Sequence, residues 1–153
     1  MKLGDVLKKE REKKSIEADV MARHLDLAPG EYQALEGGTT EAEAAGPLLA
    51  QLAIQLDAPT SRLIAASGRA ADARNGQLGE LVTAQRKVRQ KTPEALAEAL
   101  GISLADYQAI EAGKSNLELW GPRFLRFAEV IEQPVFNIFY PCGLPFQELD
   151  DYP

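Results

Sequence analysis

The chain has 153 residues, of which 45% are apolar and 26% charged, and its formal net charge is −6. This is ordinary globular composition; no run is long and apolar enough to span a membrane, and the opening MKLGDVLKKEREKK lacks the apolar core of a signal peptide. One cysteine, Cys142, excludes an internal disulfide and points to a cytoplasmic protein.

Leu3, Val6 and Leu7 recur at helical spacing and predict a first helix that turns basic through Lys8-Lys9 and Lys13-Lys14. A second helix is expected over 18–25. After the turn DLAPG a third runs to about residue 36, where Gly37-Gly38 stops it. Gly46-Pro47 is expected to open a fourth helix, LLAQLAIQL, and Pro59 precedes a short fifth. GRAADARNGQ (68–77) is small and polar, a linker or the lead-in to the next helix. Leu78, Leu81 and Val82 with Arg86-Lys87 and Arg89 then restate the first helix. Thr92-Pro93 supplies an N-cap and first-turn proline for a helix over 93–100. Ser103 with Asp106 resembles a capping box for the next helix, which Ala112-Gly113 ends. Gly121-Pro122 is expected to open RFLRFAEVI, and Pro134 precedes another short helix. No stretch alternates with period two, so the expected class is all-α.

The two runs are one design written twice. YQALEGG (32–38) recurs as YQAIEAG (107–113), and the same displacement aligns 3–68 with 78–143 without a gap. Sixteen of the sixty-six pairs are identical, among them Gly4/Gly79, Arg11/Arg86, Gly46-Pro47/Gly121-Pro122 and Pro59/Pro134. Coincidence in an Ala- and Leu-rich chain does not predict matched Gly and Pro positions; tandem duplication does. The expected organisation is a first repeat at 1–68, a linker at 69–77, a second repeat at 78–143 and an acidic tail at 144–153. Units of roughly 65–70 residues are near the lower limit for folding alone, so each is expected to gain stability from its twin.

Five short helices with a tight turn between the second and third describe a helix-turn-helix unit. IEADVMARHLDLAPGEYQALEGG (16–38) and KTPEALAEALGISLADYQAIEAG (91–113) resemble the Cro/repressor (Xre-type) helix-turn-helix family, whose pattern is Leu-Ser-Gln-Glu-x-Leu-Ala-x-x-Leu-Gly-Val-Ser…Ile-x-x-Ile-Glu-x-Gly. Leu96-Ala97, Leu100-Gly101-Ile102-Ser103 and Ile110-Glu111…Gly113 carry the better match. The resemblance implies two tandem five-helix lambda-repressor-like units. It also implies that Arg11 pairs with Glu36 and Arg86 with Glu111, at the same spacing in each repeat. Such an Arg fork on a partly buried carboxylate is structural, the alternative being an Arg that binds a ligand.

The resemblance further implies DNA binding through the third helix, whose N-terminal residues meet base edges in the major groove. Arg, Lys, Gln and Asn are the useful side chains there. The first repeat offers Ala28, Pro29, Gly30, Glu31, Gln33 and Ala34; the second offers Ser103, Leu104, Ala105, Asp106, Gln108 and Ala109. Gln33 and Gln108 are the base-reading candidates, with a solvated helix face as the plain alternative, and Glu31 and Asp106 repel phosphate. Lys114, Ser115 and Asn116 are phosphate-contact candidates, with Ser103 beside them, where the first repeat has Thr39-Thr40. The family's common Gln at the start of the second helix is Ala18 in one repeat and Pro93 in the other.

Residues 1–75 hold ten basic and twelve acidic side chains, and 76–153 hold seven and eleven, so neither half is a basic module. Phosphate neutralisation dominates DNA affinity. Two functional readings follow. One is a transcription-regulator-like protein that binds DNA mainly through its second repeat. The other is a degenerate tandem module, antirepressor or antitoxin-like, that binds a protein and not DNA.

Other chemistry is sparse. His24, the sole histidine, is expected to be half-buried and structural, and Cys142 to be a small buried residue. No Gly-rich phosphate loop or isolated acid/base pair appears, so no catalytic residue, metal or cofactor is expected. Trp120, Phe124, Phe127, Phe136, Phe139 and Tyr140 have mostly helical spacing and read as core, or as a surface that packs on the first repeat or forms a homodimer.

Overall fold

A computed structural model describes residues 2–139, the Phe136 side chain excepted. These residues form ten α-helices, one 3₁₀ turn and no strand, as the all-α expectation required. The helices are α1 (Leu3–Lys13), α2 (Ala18–His24), α3 (Pro29–Glu36), α4 (Ala42–Leu56) and α5 (Thr60–Ile64), then, after a 3₁₀ turn at Ala70–Asp72, α6 (Gln77–Val88), α7 (Pro93–Leu100), α8 (Leu104–Glu111), α9 (Leu117–Val130) and α10 (Phe136–Phe139). Moved along the chain by the displacement between the repeats, α1–α5 fall on α6–α10 to within one residue at each end. Tyr140, Cys142 and the tail 144–153 lie outside the described residues.

Local chemistry explains the boundaries. Thr92 Oγ1 accepts the Ala95 N–H at 3.1 Å and Ser103 Oγ accepts the Asp106 N–H at 3.0 Å, so α7 and α8 begin on side-chain caps. In α3 the cap is reversed: Glu31 Oε1 accepts the Ala28 N–H at 2.8 Å. Left-handed residues end the helices at matched places, Ser15/Gln90, Asp26/Gly101, Gly38/Gly113 and Asp57/Glu132. The backbone conformation was therefore kept even where glycine was not.

The start of the fourth helix differs from expectation. Gly46-Pro47 and Gly121-Pro122 lie inside α4 and α9, which begin at Ala42 and Leu117. Thr40 Oγ1 accepts the Ala42 N–H at 3.3 Å and Ser115 Oγ accepts the Leu117 N–H at 3.2 Å, nucleating each helix ahead of its proline. A proline this early forfeits one hydrogen bond, and the glycine before it removes the Cβ that would clash with the ring.

One apolar core runs through both halves. At its centre α4 packs on α9. Three further pairs of contacts between halves are reciprocal, with α4 on α6 standing outside them: α4 on α7 answers α9 on α2, α5 on α6 answers α10 on α1, and α5 on α9 answers α10 on α4. This is the contact pattern of a twofold axis. Asn116 Nδ2 donates to Glu41 Oε2 at 2.6 Å, and these two occupy the same place in the two repeats, so equivalent positions meet each other. Only residues beside the axis can do that.

Trp120, Phe124, Phe127 and Phe139 are all buried, with Trp120 stacked on Phe124 at 6.1 Å and Phe139 edge-on to Phe124 at 5.8 Å. These rings are core of this chain. None of these four rings is exposed for the possible homodimer read from the cluster, and the Phe136 side chain and Tyr140 fall outside what is described. The polar segment read as a linker is also held: the Ala70 N–H donates to Glu129 Oε2 at 3.0 Å, and the Ala66 N–H to Gln77 Oε1 at 3.0 Å.

The left-handed positions give a stability test. Gln90 has φ 54° and is exposed. Gln90→Gly should stabilise the protein by about 0.5–1 kcal/mol, because relief of backbone strain outweighs the added freedom of the unfolded chain. Gln90→Val should lower Tm in the same melting experiment.

Candidate nucleic-acid interface

Each third helix is fixed from behind by a polar frame. Arg11 Nε and Nη2 donate to Glu36 Oε2 and Oε1 at 2.7 and 3.1 Å, and Arg11 Nη1 donates to the Ile16 carbonyl at 2.7 Å. Arg86 repeats every bond: 2.6 and 3.2 Å to Glu111, and 3.1 Å to the Lys91 carbonyl. The side chains of both pairs are no more than 16% exposed. Each fork ties together the first helix, the turn after it and the end of the third helix. The ligand-binding alternative loses its free guanidinium.

The fork reshapes its neighbours' proton affinities. The Glu36 carboxylate holds the Arg11 guanidinium above its ordinary value, and Glu111 does the same for Arg86. Burial pushes the Tyr107 phenol up, and its hydrogen bond to Glu111 Oε2 at 2.5 Å pushes it further. Tyr32 is raised for the same first reason, although its buried hydroxyl makes no hydrogen bond of normal geometry. Burial alone would raise the Glu111 carboxyl; Arg86 and Tyr107 outweigh it and hold the group below its ordinary value.

Two further devices escaped sequence reasoning, although both recur in the two repeats. A Cβ on Gly4 would lie 2.5 Å from the carbonyl oxygens of Leu35 and Glu36, and one on Gly79 would lie 2.5 Å from that of Ile110. The first helix therefore touches the backbone at the end of the third, and only glycine fits. Glu43 accepts the N–H groups of Leu3 and Gly4 at 3.1 and 2.9 Å, and Glu118 accepts those of Gly76 and Gly79 at 2.7 and 2.9 Å. A carboxylate three helices downstream thus caps each first helix.

The predicted contact residues divide sharply. α3 and α8 pack chiefly on the first and second helices of their own halves, so their outer faces stay open. Gln33, Gln108 and Lys114 are exposed, with no side-chain partner among the described residues. Ser103 and Ser115 are occupied as caps, and Thr39 Oγ1 donates to the Ala34 carbonyl at 3.3 Å. Asn116 is engaged by Glu41 at the axis. Asp26, Glu31, Glu98 and Asp106 are exposed in the same neighbourhoods. His24, expected to be half-buried, is exposed, because the last turn of α2 leaves it beyond the buried Met21 and Ala22.

Among the described residues no three His, Cys, Asp or Glu side chains converge as metal ligands, and no helix is long and apolar enough to cross a membrane. Comparison with protein-family models, curated proteins and solved structures finds no match.

Two measurements test the frame. Arg86→Met should cost about 2 kcal/mol or more, since it strands a partly buried carboxylate and a tyrosine hydroxyl. Lys87→Met, at the exposed neighbour, should change Tm little. Because the folded Glu111 value is depressed, its stabilisation is complete above the ordinary 4.5 and is lost as pH falls through the lower folded value. Glu111→Gln should therefore flatten the decline of stability on acidification while lowering stability at neutral pH.

Proposed function

We propose that this chain is a tandem helix-turn-helix protein of the transcription-regulator class, with α7–α8 as its DNA-reading unit. The observation that carries this reading is the state of α8 and the loop after it. Gln108 and Lys114 are exposed and unengaged, on a helix that the contact between halves leaves open. Gln108 is of the type that pairs bidentately with adenine, and Lys114 is a point charge for phosphate. The first half has Gln33 alone: its counterpart of Lys114 is Thr39, whose hydroxyl is turned to the backbone. Approximate twofold symmetry supports a fused pair in which α3 now contributes little.

A second reading rests on the carboxylates. Glu17, Asp19, Asp26 and Glu31 are all exposed around α2 and α3. That face repels a phosphate backbone and suits a basic protein surface, as an antirepressor or antitoxin-like partner would use it.

Fluorescence anisotropy on operator-sized DNA at two salt concentrations separates the two. Lys114→Glu should weaken binding across sequences and flatten the salt dependence. Gln108→Ala should relax discrimination at one base pair by about 1–3 kcal/mol. Changes at Thr39 and Gln33 should matter less. If the wild-type protein binds no DNA even at low salt, the DNA reading fails and the protein-partner reading stands.

A further inference from the structure

Between the end of α2 and the outer side of α9 lies a groove of about 360 Å³, floored by Leu25, Ala70 and Pro122. His24, Arg123 and Arg126 line it together with the carboxylates of Asp26 and Glu118, the latter engaged as a helix cap. Arg123 is half-buried, its guanidinium carbon 4.8 Å from the centre of the Trp120 ring, and it makes no ion pair or hydrogen bond among the described residues. Burial pushes its guanidinium below the ordinary value, against the opposing pull of Glu31 and Asp26. A half-buried cation that no carboxylate reaches within ion-pair distance, Glu31 and Asp26 acting on it only from farther off, is a cost to the fold.

The twin junction, where α7 meets α4, shows that packing does not demand this cost. At the positions equivalent to His24, Arg123 and Arg126 in the opposite repeat stand Ala99, Leu48 and Gln51. Helices α4 and α7 meet there as α9 and α2 do, with none of those three groups. Glu118, by contrast, is matched by Glu43, and both serve as helix caps. The shared carboxylate is therefore architectural, while the three nitrogen-bearing side chains belong to one junction alone, as does Asp26, whose twin is Gly101.

We propose that this groove is a binding site for a compact polyoxyanion, a small molecule bearing a phosphate or a pair of carboxylates, with Arg123 as its principal ligand. Arg126, whose nearest carboxylate is Glu129 at 3.5 Å, and His24 supply further donors. The volume suits a small metabolite and not a polymer. The ligand would bridge the α2–α3 turn of the first half and α9 of the second. Its occupancy would thus bias how the two halves sit together, the geometry that any effector of this protein has to change. The site does not depend on whether α8 reads DNA.

Trp120 is the only tryptophan and lies under Arg123, so selectively excited fluorescence reports the site directly. The full chain is titrated with inorganic phosphate, with succinate, and with chloride at matched ionic strength. Phosphate or succinate should give a saturable change that chloride does not, and the stronger of the two identifies the ligand class. Arg123→Leu, which installs the twin's residue, should weaken binding at least about tenfold. It should also leave Tm unchanged or higher in anion-free buffer and abolish the rise in Tm that the anion gives the wild type. Arg126→Gln should weaken binding less. The assignment is overturned by no saturable response to either anion at about 10 mM, by an equal response in Arg123→Leu, or by a lower Tm of Arg123→Leu in anion-free buffer.

Discussion

Helix α4 buries a wide apolar face, and the rest of the molecule is arranged around that fact. Ala42, Ala45, Leu49, Ala50, Leu52, Ala53 and Leu56 are all buried on one side, while Glu43, Ala44, Pro47, Leu48, Gln51, Ile54 and Gln55 stay partly or fully exposed on the other. So wide a buried face needs several neighbours across it. Its own half supplies α1 and α5; the other half supplies α9, with α6, α7 and α10 around it. Burying Leu49, Leu52 and Leu56 contributes roughly 1.5–3 kcal/mol each. The polar clamp beside them, Lys91 Nζ and Arg89 Nη2 donating to the carbonyls of Gln55 and Asp57 at 2.6 and 2.9 Å, is worth about 1–3 kcal/mol for each bond to a charged donor. The apolar contact decides that the halves stay together, and the clamp completes the carbonyls at the end of α4.

That central contact sets what the periphery has to do. With α4 and α9 committed to the axis, each third helix is left to the first and second helices of its own half. The glycine contact and the Arg fork meet at the end of that third helix, and the downstream carboxylate fixes the start of the first helix that carries them. These small, directional contacts position the helix without covering its outer face. An apolar interface large enough to do the same would have buried Gln33 and Gln108. The cost is sensitivity to acid, because the fork depends on an ionised carboxylate.

Much of this was legible in the chain, and for a physical reason. Duplication turns every structural constraint into a coincidence at a fixed offset. The forks were readable because Arg and Glu recur at that offset in a familiar family pattern. Glu43 and Glu118 recur too, but a carboxylate that caps a helix so far back along the chain leaves no local periodicity. Pro47 misled because proline usually opens a helix; the threonine and serine caps before it, and the glycine beside it, outweighed that preference. Asn116 looked free until folding brought its own equivalent, Glu41, against it. His24 stands where the helix-turn-helix pattern that the sequence resembles has an apolar residue, yet its exposure follows from how the last turn of α2 meets its neighbours.

Symmetry also sorts structure from function in a way that one copy could not. Where both halves keep a residue in the same contact, as with Gly4/Gly79, Arg11/Arg86 and Glu43/Glu118, the shared fold accounts for it. Where they differ yet the helices still meet alike, the difference is not needed for packing and has to be explained otherwise. Lys114 opposite Thr39 and Arg123 opposite Leu48 are of this second kind. The first places a free cation beside an open third helix. The second places an unpaired, half-buried one at a junction between the halves. Apolar replacement of a half-buried charge is often neutral or stabilising. An Arg in such a place, when its twin packs as Leu, is not required by the packing, and an anion bound in the groove supplies the direct partner that the chain does not.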